Sequence, residues 1–119
     1  MDKVVVDEKF AQFAEYWNPK IVGELNGQLV KLVKFKGDFM WHHHDVEDEM
    51  FYVVKGQMIM KLRDKDVVVG PGEFIIVPRG VEHMPTAPEE VHVMLFEPAS
   101  TLNTGNVRSE RTRETLERM

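Results

Sequence analysis

Hydrophobic and polar positions change period near residue 20. Over residues 6–17 the apolar side chains Phe10, Phe13, Ala14 and Trp17 recur at i, i+3, i+4 and i+7. That spacing predicts a short amphipathic helix, with Asp7 as its cap and Asn18-Pro19 as its stop. An aromatic stripe of this kind packs on a core or, less commonly, on a partner. From residue 21 to residue 98 the period falls to two, in short runs closed by turn residues. Strands are predicted over 21–25, 29–36, 39–44, 49–55, 57–63, 66–69, 73–77 and 91–96. Asn26-Gly27 reads as a two-residue hairpin turn, and Gly37-Asp38 and Asp64-Lys65 as further turns. Strands this short and this frequent predict an all-β barrel or sandwich and argue against a βαβ fold.

Three segments follow: a helical arm over 1–20, a barrel over 21–98 and a tail over 99–119. The tail changes composition. A marginal helix over 110–119 is supported by Glu114 and Arg118 at i,i+4, with Leu116 and Met119 as its apolar residues. The tail reads either as loosely ordered or as an arm docked on this subunit or a neighbour.

The chain has 119 residues, the usual size of one domain, and can bury roughly two-thirds of its unfolded surface. It contains no cysteine, which excludes disulfides, thiolate catalysis and cysteine-held zinc. A net charge of −5 disfavours nucleic acid and anionic membranes as partners. No apolar run approaches the ~20 residues needed to span a bilayer. The first residues are too charged for a signal peptide, so a cytoplasmic location is expected.

The chemistry concentrates in the run Trp41-His42-His43-His44. On a strand His42 and His44 point to one face and His43 to the other. Glu49 opens the next predicted strand, and His83 follows the corner Pro78-Arg79-Gly80. Imidazole and carboxylate donors of this kind suit a divalent ion, and the donor types leave manganese, iron, zinc and nickel all open. Other charged groups read as structural. The acidic run Asp45, Glu47, Asp48 is a solvated loop, and Arg79 is an exposed turn residue unless it meets an anionic ligand. His92 belongs to an edge or surface unless it lines the cavity. Met58, Met60, Trp41, Phe51 and Phe35 supply apolar bulk for the barrel.

The residues Gly37, His42, His44, Glu49 and Gly56, followed by Gly72, Pro78, Gly80 and His83, resemble the two linked motifs of the cupin superfamily. The resemblance runs from Gly37 to His83, 47 of 119 residues. It departs from the usual pattern in two places. Four residues rather than five separate Gly37 from His42, and Ala87 stands where the second motif often ends in asparagine. Neither position is a ligand. The resemblance implies a small double-stranded β-helix (jelly-roll) barrel and a divalent metal held by His42, His44, Glu49 and His83. It implies a small-molecule ligand, and a homodimer to which the stripe Phe10-Phe13-Trp17 would contribute. The expected function is a metal-dependent enzyme of dioxygenase, isomerase or decarboxylase type acting on an oxygen-chelating metabolite, with Glu49 as a candidate base. A non-catalytic binding module is the alternative. A storage role is disfavoured, because storage cupins usually have two barrels and lack the full ligand set.

Overall fold

Residues 1–119 are described by a computed structural model. One short helix, α1 (Val6–Phe10), precedes seven strands: β1 (Lys20–Leu25), β2 (Gln28–Asp38), β3 (Glu49–Lys55), β4 (Met58–Leu62), β5 (Asp66–Val69), β6 (Phe74–Val77) and β7 (His83–Pro98). All pairings are antiparallel. The path β1-β2-β7-β3-β6 forms one wall, and β4 with β5 forms a second beside the first half of β7. This is the expected all-β jelly-roll. No helix is long and apolar enough to cross a membrane.

β7 joins the two walls. Its residues from Val91 onward pair with β2 and β3, its first residues, His83 to Thr86, pair with β4, and Thr86 and Ala87 also meet the end of β2. The strand was expected only over 91–96. Pro85 and Pro88 hide its first half, because proline cannot donate to a ladder. The bend lies at exposed Pro88, Glu89 and Glu90. On β2 the expected turn at Gly37-Asp38 does not form: Gly37 takes φ 78° and the strand continues to Asp38. The register shift between Phe35 and Gly37 sets the single residue Lys36 against Pro88, Glu89 and Glu90, so the bulge lies on β7. Asn26-Gly27 does form the hairpin turn between β1 and β2, with both residues at positive φ.

Alternation sets what lies inside. On β3 the residues Glu49, Phe51 and Val53 are buried, and on β7 so are Val91, Val93, Leu95 and Glu97. They join Val33, Phe35, Met58 and Met60 in the main core. Full burial of a side chain of this size contributes roughly 1.5–3 kcal/mol. Met58 and Met60 are fully buried filler. Trp41 lies outside the core, with the Arg63 guanidinium 3.8 Å from its ring centre.

The helix over 6–17 is corrected to five residues. Its N-cap is Val5 and no side chain caps it, so a costly nucleus has little support. Beyond Phe10 the chain unwinds. Tyr16 bridges to Lys34, Trp17 N–H donates to the Lys34 carbonyl, and Trp17 adopts φ 59°. The aromatic stripe therefore packs on its own barrel: Phe10 and Phe13 cover Leu32, and Trp17 stacks on Phe35 and Phe39.

The C-terminal helix is also absent. Residues 99–119 form a turn-rich strap with no helix, docked on the same chain. The segment 110–119 has too few apolar residues to bury a helical face. Its end instead borrows the free edge of β1, where Ile21 N–H donates to Glu117 O and Met119 N–H to Ile21 O.

Candidate metal centre

Four side chains predicted to act together are brought together. His42, His44, Glu49 and His83 are all buried, and one ligand atom from each lies within 4.8 Å of the others. His42 and His44 sit on the extended segment between β2 and β3, Glu49 opens β3, and His83 opens β7. That segment is less regular than the expected strand over 39–44. Only His42 is ladder-bonded, exchanging both backbone hydrogen bonds with His83 (3.1 and 2.9 Å). The in–out alternation still holds. His43 points outward and bonds Asp45 at 2.8 Å. The Pro78-Arg79-Gly80 corner is tied to the same segment: Gly80 N–H donates to His44 O, and Arg79 N–H to the Asp48 carboxylate. Arg79 also pairs with Asp48 through its guanidinium, which accounts for both charges without a ligand.

The ring tautomers are set by backbone. His42 Nδ1–H donates to Met40 O at 3.0 Å and His83 Nδ1–H to Val81 O at 2.9 Å. In a neutral ring this leaves the Nε2 lone pair free for a metal. His44 Nε2 and His83 Nε2 approach Glu49 Oε1 at 3.3 and 3.5 Å. All three atoms are buried without a hydrogen-bond partner. Buried polar atoms left unpaired are costly, and four converging donors with no mutual solution fit a cation between them. Donors at ~2.0–2.2 Å from one ion lie at most ~4.4 Å apart, so no pair within 4.8 Å needs to close by more than about half an ångström if the two sit on opposite sides of the ion. The residues present therefore fit a divalent ion.

Two further charged groups reach the site, and sequence reasoning missed both. Glu97, on β7, accepts a hydrogen bond from Lys31 Nζ on β2 at 2.7 Å, and both side chains are almost wholly buried. The Glu97 carboxyl also meets that of Glu49. Its Oε2 has no donor. The contact is satisfied only when one of the two carboxyls carries a proton. Burial by itself would raise Glu49, but the adjoining Glu97 carboxyl and the close approach of the His44 and His83 rings outweigh it and hold this carboxyl well below its ordinary range. Burial and the charge of Glu49 push Glu97 well above it, against the pull of Lys31.

Above the donors lies a cavity of about 30 Å³, walled by Trp17, Phe35, Phe39 and Phe51, with His42, Glu49, Glu97 and Asn103 as polar edges. That is room for about two waters. His92 is not part of it; it stacks on Phe10 and bonds Glu90.

Burial, aided by the neighbouring His83, pushes the His42 imidazole down to about 4. An unfolded histidine titrates near ~6.5, so the unfolded chain takes up the proton first as pH falls. The contribution of His42 to stability is complete above ~6.5 and shrinks by about 3 kcal/mol as the pH approaches 4. Urea unfolding of metal-free protein is expected to show this loss in the wild type and not in His42→Gln. Equal pH slopes for the two would contradict it.

The barrel and its three-histidine, one-carboxylate site define a cupin. The Cupin_2 family model, a cupin domain, matches residues 30–97, more than half of the chain, and the chain belongs to that family. A cupin-2 domain containing protein of known structure from Shewanella frigidimarina NCIMB 400 is 39% identical, with a TM-score of 0.79; the match covers 80% of this chain and 93% of that one. The uncharacterized protein YdbB of Bacillus subtilis (strain 168) is 33% identical over 79 residues, 66% of this chain and 64% of YdbB. The 3-hydroxyanthranilate 3,4-dioxygenase of Brucella anthropi is 34% identical over 65 residues, 49% of this chain and 36% of the dioxygenase. The chain thus spans less than two thirds of the length of these two curated relatives.

Proposed function

We propose that the chain is a metal-dependent enzyme acting on a small molecule that chelates the ion through oxygen, with dioxygenation as the favoured reaction class. One observation carries the reading: three imidazoles and a carboxylate converge, three of their atoms unpaired, beside an aromatic-walled cavity with a further carboxyl next to them. Similarity to a dioxygenase across about half of the chain favours that class over isomerisation or decarboxylation.

His42, His44, Glu49 and His83 would hold the ion. When bound, it polarises a coordinated ligand oxygen as a Lewis acid. The chain's own residues do the rest. Trp17, Phe35, Phe39 and Phe51 exclude water and offer flat apolar faces to a ligand. Glu97, anchored by Lys31, presents its carboxyl to the cavity and is placed to hydrogen-bond a ligand beside the ion. Glu49 is enclosed by His44, His83 and Glu97, which suits a ligand role better than a mobile base. A homodimer belongs to the same proposal; exposed Phe74 and Ile76 on the edge strand β6 supply apolar surface for it, and light scattering reads it.

Protein purified without added metal is expected to carry about one divalent ion per chain by elemental analysis. It is expected to consume oxygen with one or more of a panel of small chelating acids and thiols. Metal without oxygen uptake, but with tight stoichiometric binding of a panel compound, would favour a non-catalytic binding module.

A further inference from the structure

The segment carrying His42 and His44 has a regular partner on one side only, the single exchange between His42 and His83. The strap beyond β7 closes the other side. Asn106 takes both backbone groups of His43: its N–H donates to His43 O at 3.0 Å, and its Oδ1 accepts from His43 N–H at 2.8 Å. The peptide planes on either side of His43 aim the side chains of His42 and His44, so one residue of the strap restrains both ligands.

The approach is close enough to require glycine next door. Gly105 sits at φ 55°, and a Cβ there would lie 2.2 Å from His43 O and 3.1 Å from His42 Cδ2. The strap is itself built rather than draped. Thr104 is fully buried and bonds Thr112, and the Asn103 amide bonds both Arg111 O and Arg113 N–H. Arg111 then ties it to the carbonyls of Asp38 and Phe39, just before the ligand segment. All of this lies beyond residue 97, where the family match ends.

We propose that the C-terminal strap is a working part of the metal centre, with Asn106 the residue that positions His42 and His44 and Gly105 the residue that lets it reach them. The proposal rests on the metal-site reading above. Outer partners that orient ligands typically contribute 10–100-fold to metal affinity.

The test is calorimetric titration of Zn²⁺ into metal-stripped protein, with the visible spectrum of the Co²⁺-loaded form as a second readout of ligand geometry. Wild type is expected to bind one equivalent. Asn106→Ala is expected to bind at least about tenfold more weakly with a shifted Co²⁺ spectrum, while circular dichroism still shows a folded barrel. Asn106→Asp keeps both the backbone N–H and a side-chain acceptor, and is expected to restore affinity to within about threefold of wild type. Gly105→Ala is expected to behave like Asn106→Ala or worse. Arg118→Ala, which cuts only the exposed strap contact to Glu24, is expected to leave both readouts unchanged. Wild-type affinity and spectrum in a folded Asn106→Ala would overturn the proposal while leaving the metal site standing. Failure of the wild type to bind metal would overturn both.

Discussion

Glu49→Ala is expected to lower metal affinity by at least about 100-fold, more than loss of an outer partner does, while the barrel stays folded. Glu49 is the one carboxylate among the four donors, and its low proton affinity keeps it charged. Without it, three neutral imidazoles would face a doubly charged ion in a buried site, and Glu97, held by Lys31, is not free to replace it. The change also removes a buried charge, so metal-free stability should fall little. His44→Ala is expected to match it in metal loss, since His44 Nε2 has no other role. Metal content by elemental analysis, with circular dichroism for the fold, reads both. Full occupancy in either variant would refute the ligand assignment.

Glu97→Leu is expected to destabilise the protein by about 3–5 kcal/mol, the usual result of stripping one partner from a buried pair. Lys31 is 1% exposed and Glu97 is its only hydrogen-bonding side chain. An isolated ammonium at that depth must lose its proton or open the barrel to water. The double variant Lys31→Met/Glu97→Leu is expected to recover to within about 1 kcal/mol of wild type, because an apolar pair of similar volume replaces a desolvated one. Urea denaturation of the single and double variants gives the coupling directly. A Glu97→Leu protein as stable as wild type would mean that Lys31 finds another partner.

The ligands were legible in the sequence because their placement is local. Two-residue alternation sorts His42 and His44 from His43, and a Pro-Arg-Gly corner returns His83 to the interior. Glu97 and Lys31 were legible in principle. Glu97 is in phase with Val91, Val93 and Leu95, and Lys31 with Leu29, Val33 and Phe35, so each is a charge at an inward position. The signal was missed because the predicted last strand stopped at Phe96, one residue short of Glu97, and because Leu32, next to Lys31, is buried as well and blurs the phase on β2. The first half of β7 was hidden by its prolines, whose ladder lacks donors there while Phe39 N–H bonds the Pro85 carbonyl. The helix over 6–17 failed for a different reason. Its aromatic spacing is real, but each ring is anchored separately, two over Leu32 and one in the cavity wall. The strap was the least legible element. Its contacts are backbone hydrogen bonds between residues some sixty or more apart, such as His43 with Asn106, and no periodicity announces them.

On the reading proposed here this barrel holds one divalent ion on His42, His44, Glu49 and His83. The most direct measurement is titration of Co²⁺ into metal-stripped wild type, Glu49→Ala and His44→Ala, followed by visible absorption. A ligand-field band is expected that saturates at one equivalent in the wild type and is absent, or at least about 100-fold weaker in apparent affinity, in both variants. Saturation at the same affinity in all three proteins, or no band in the wild type, would contradict it.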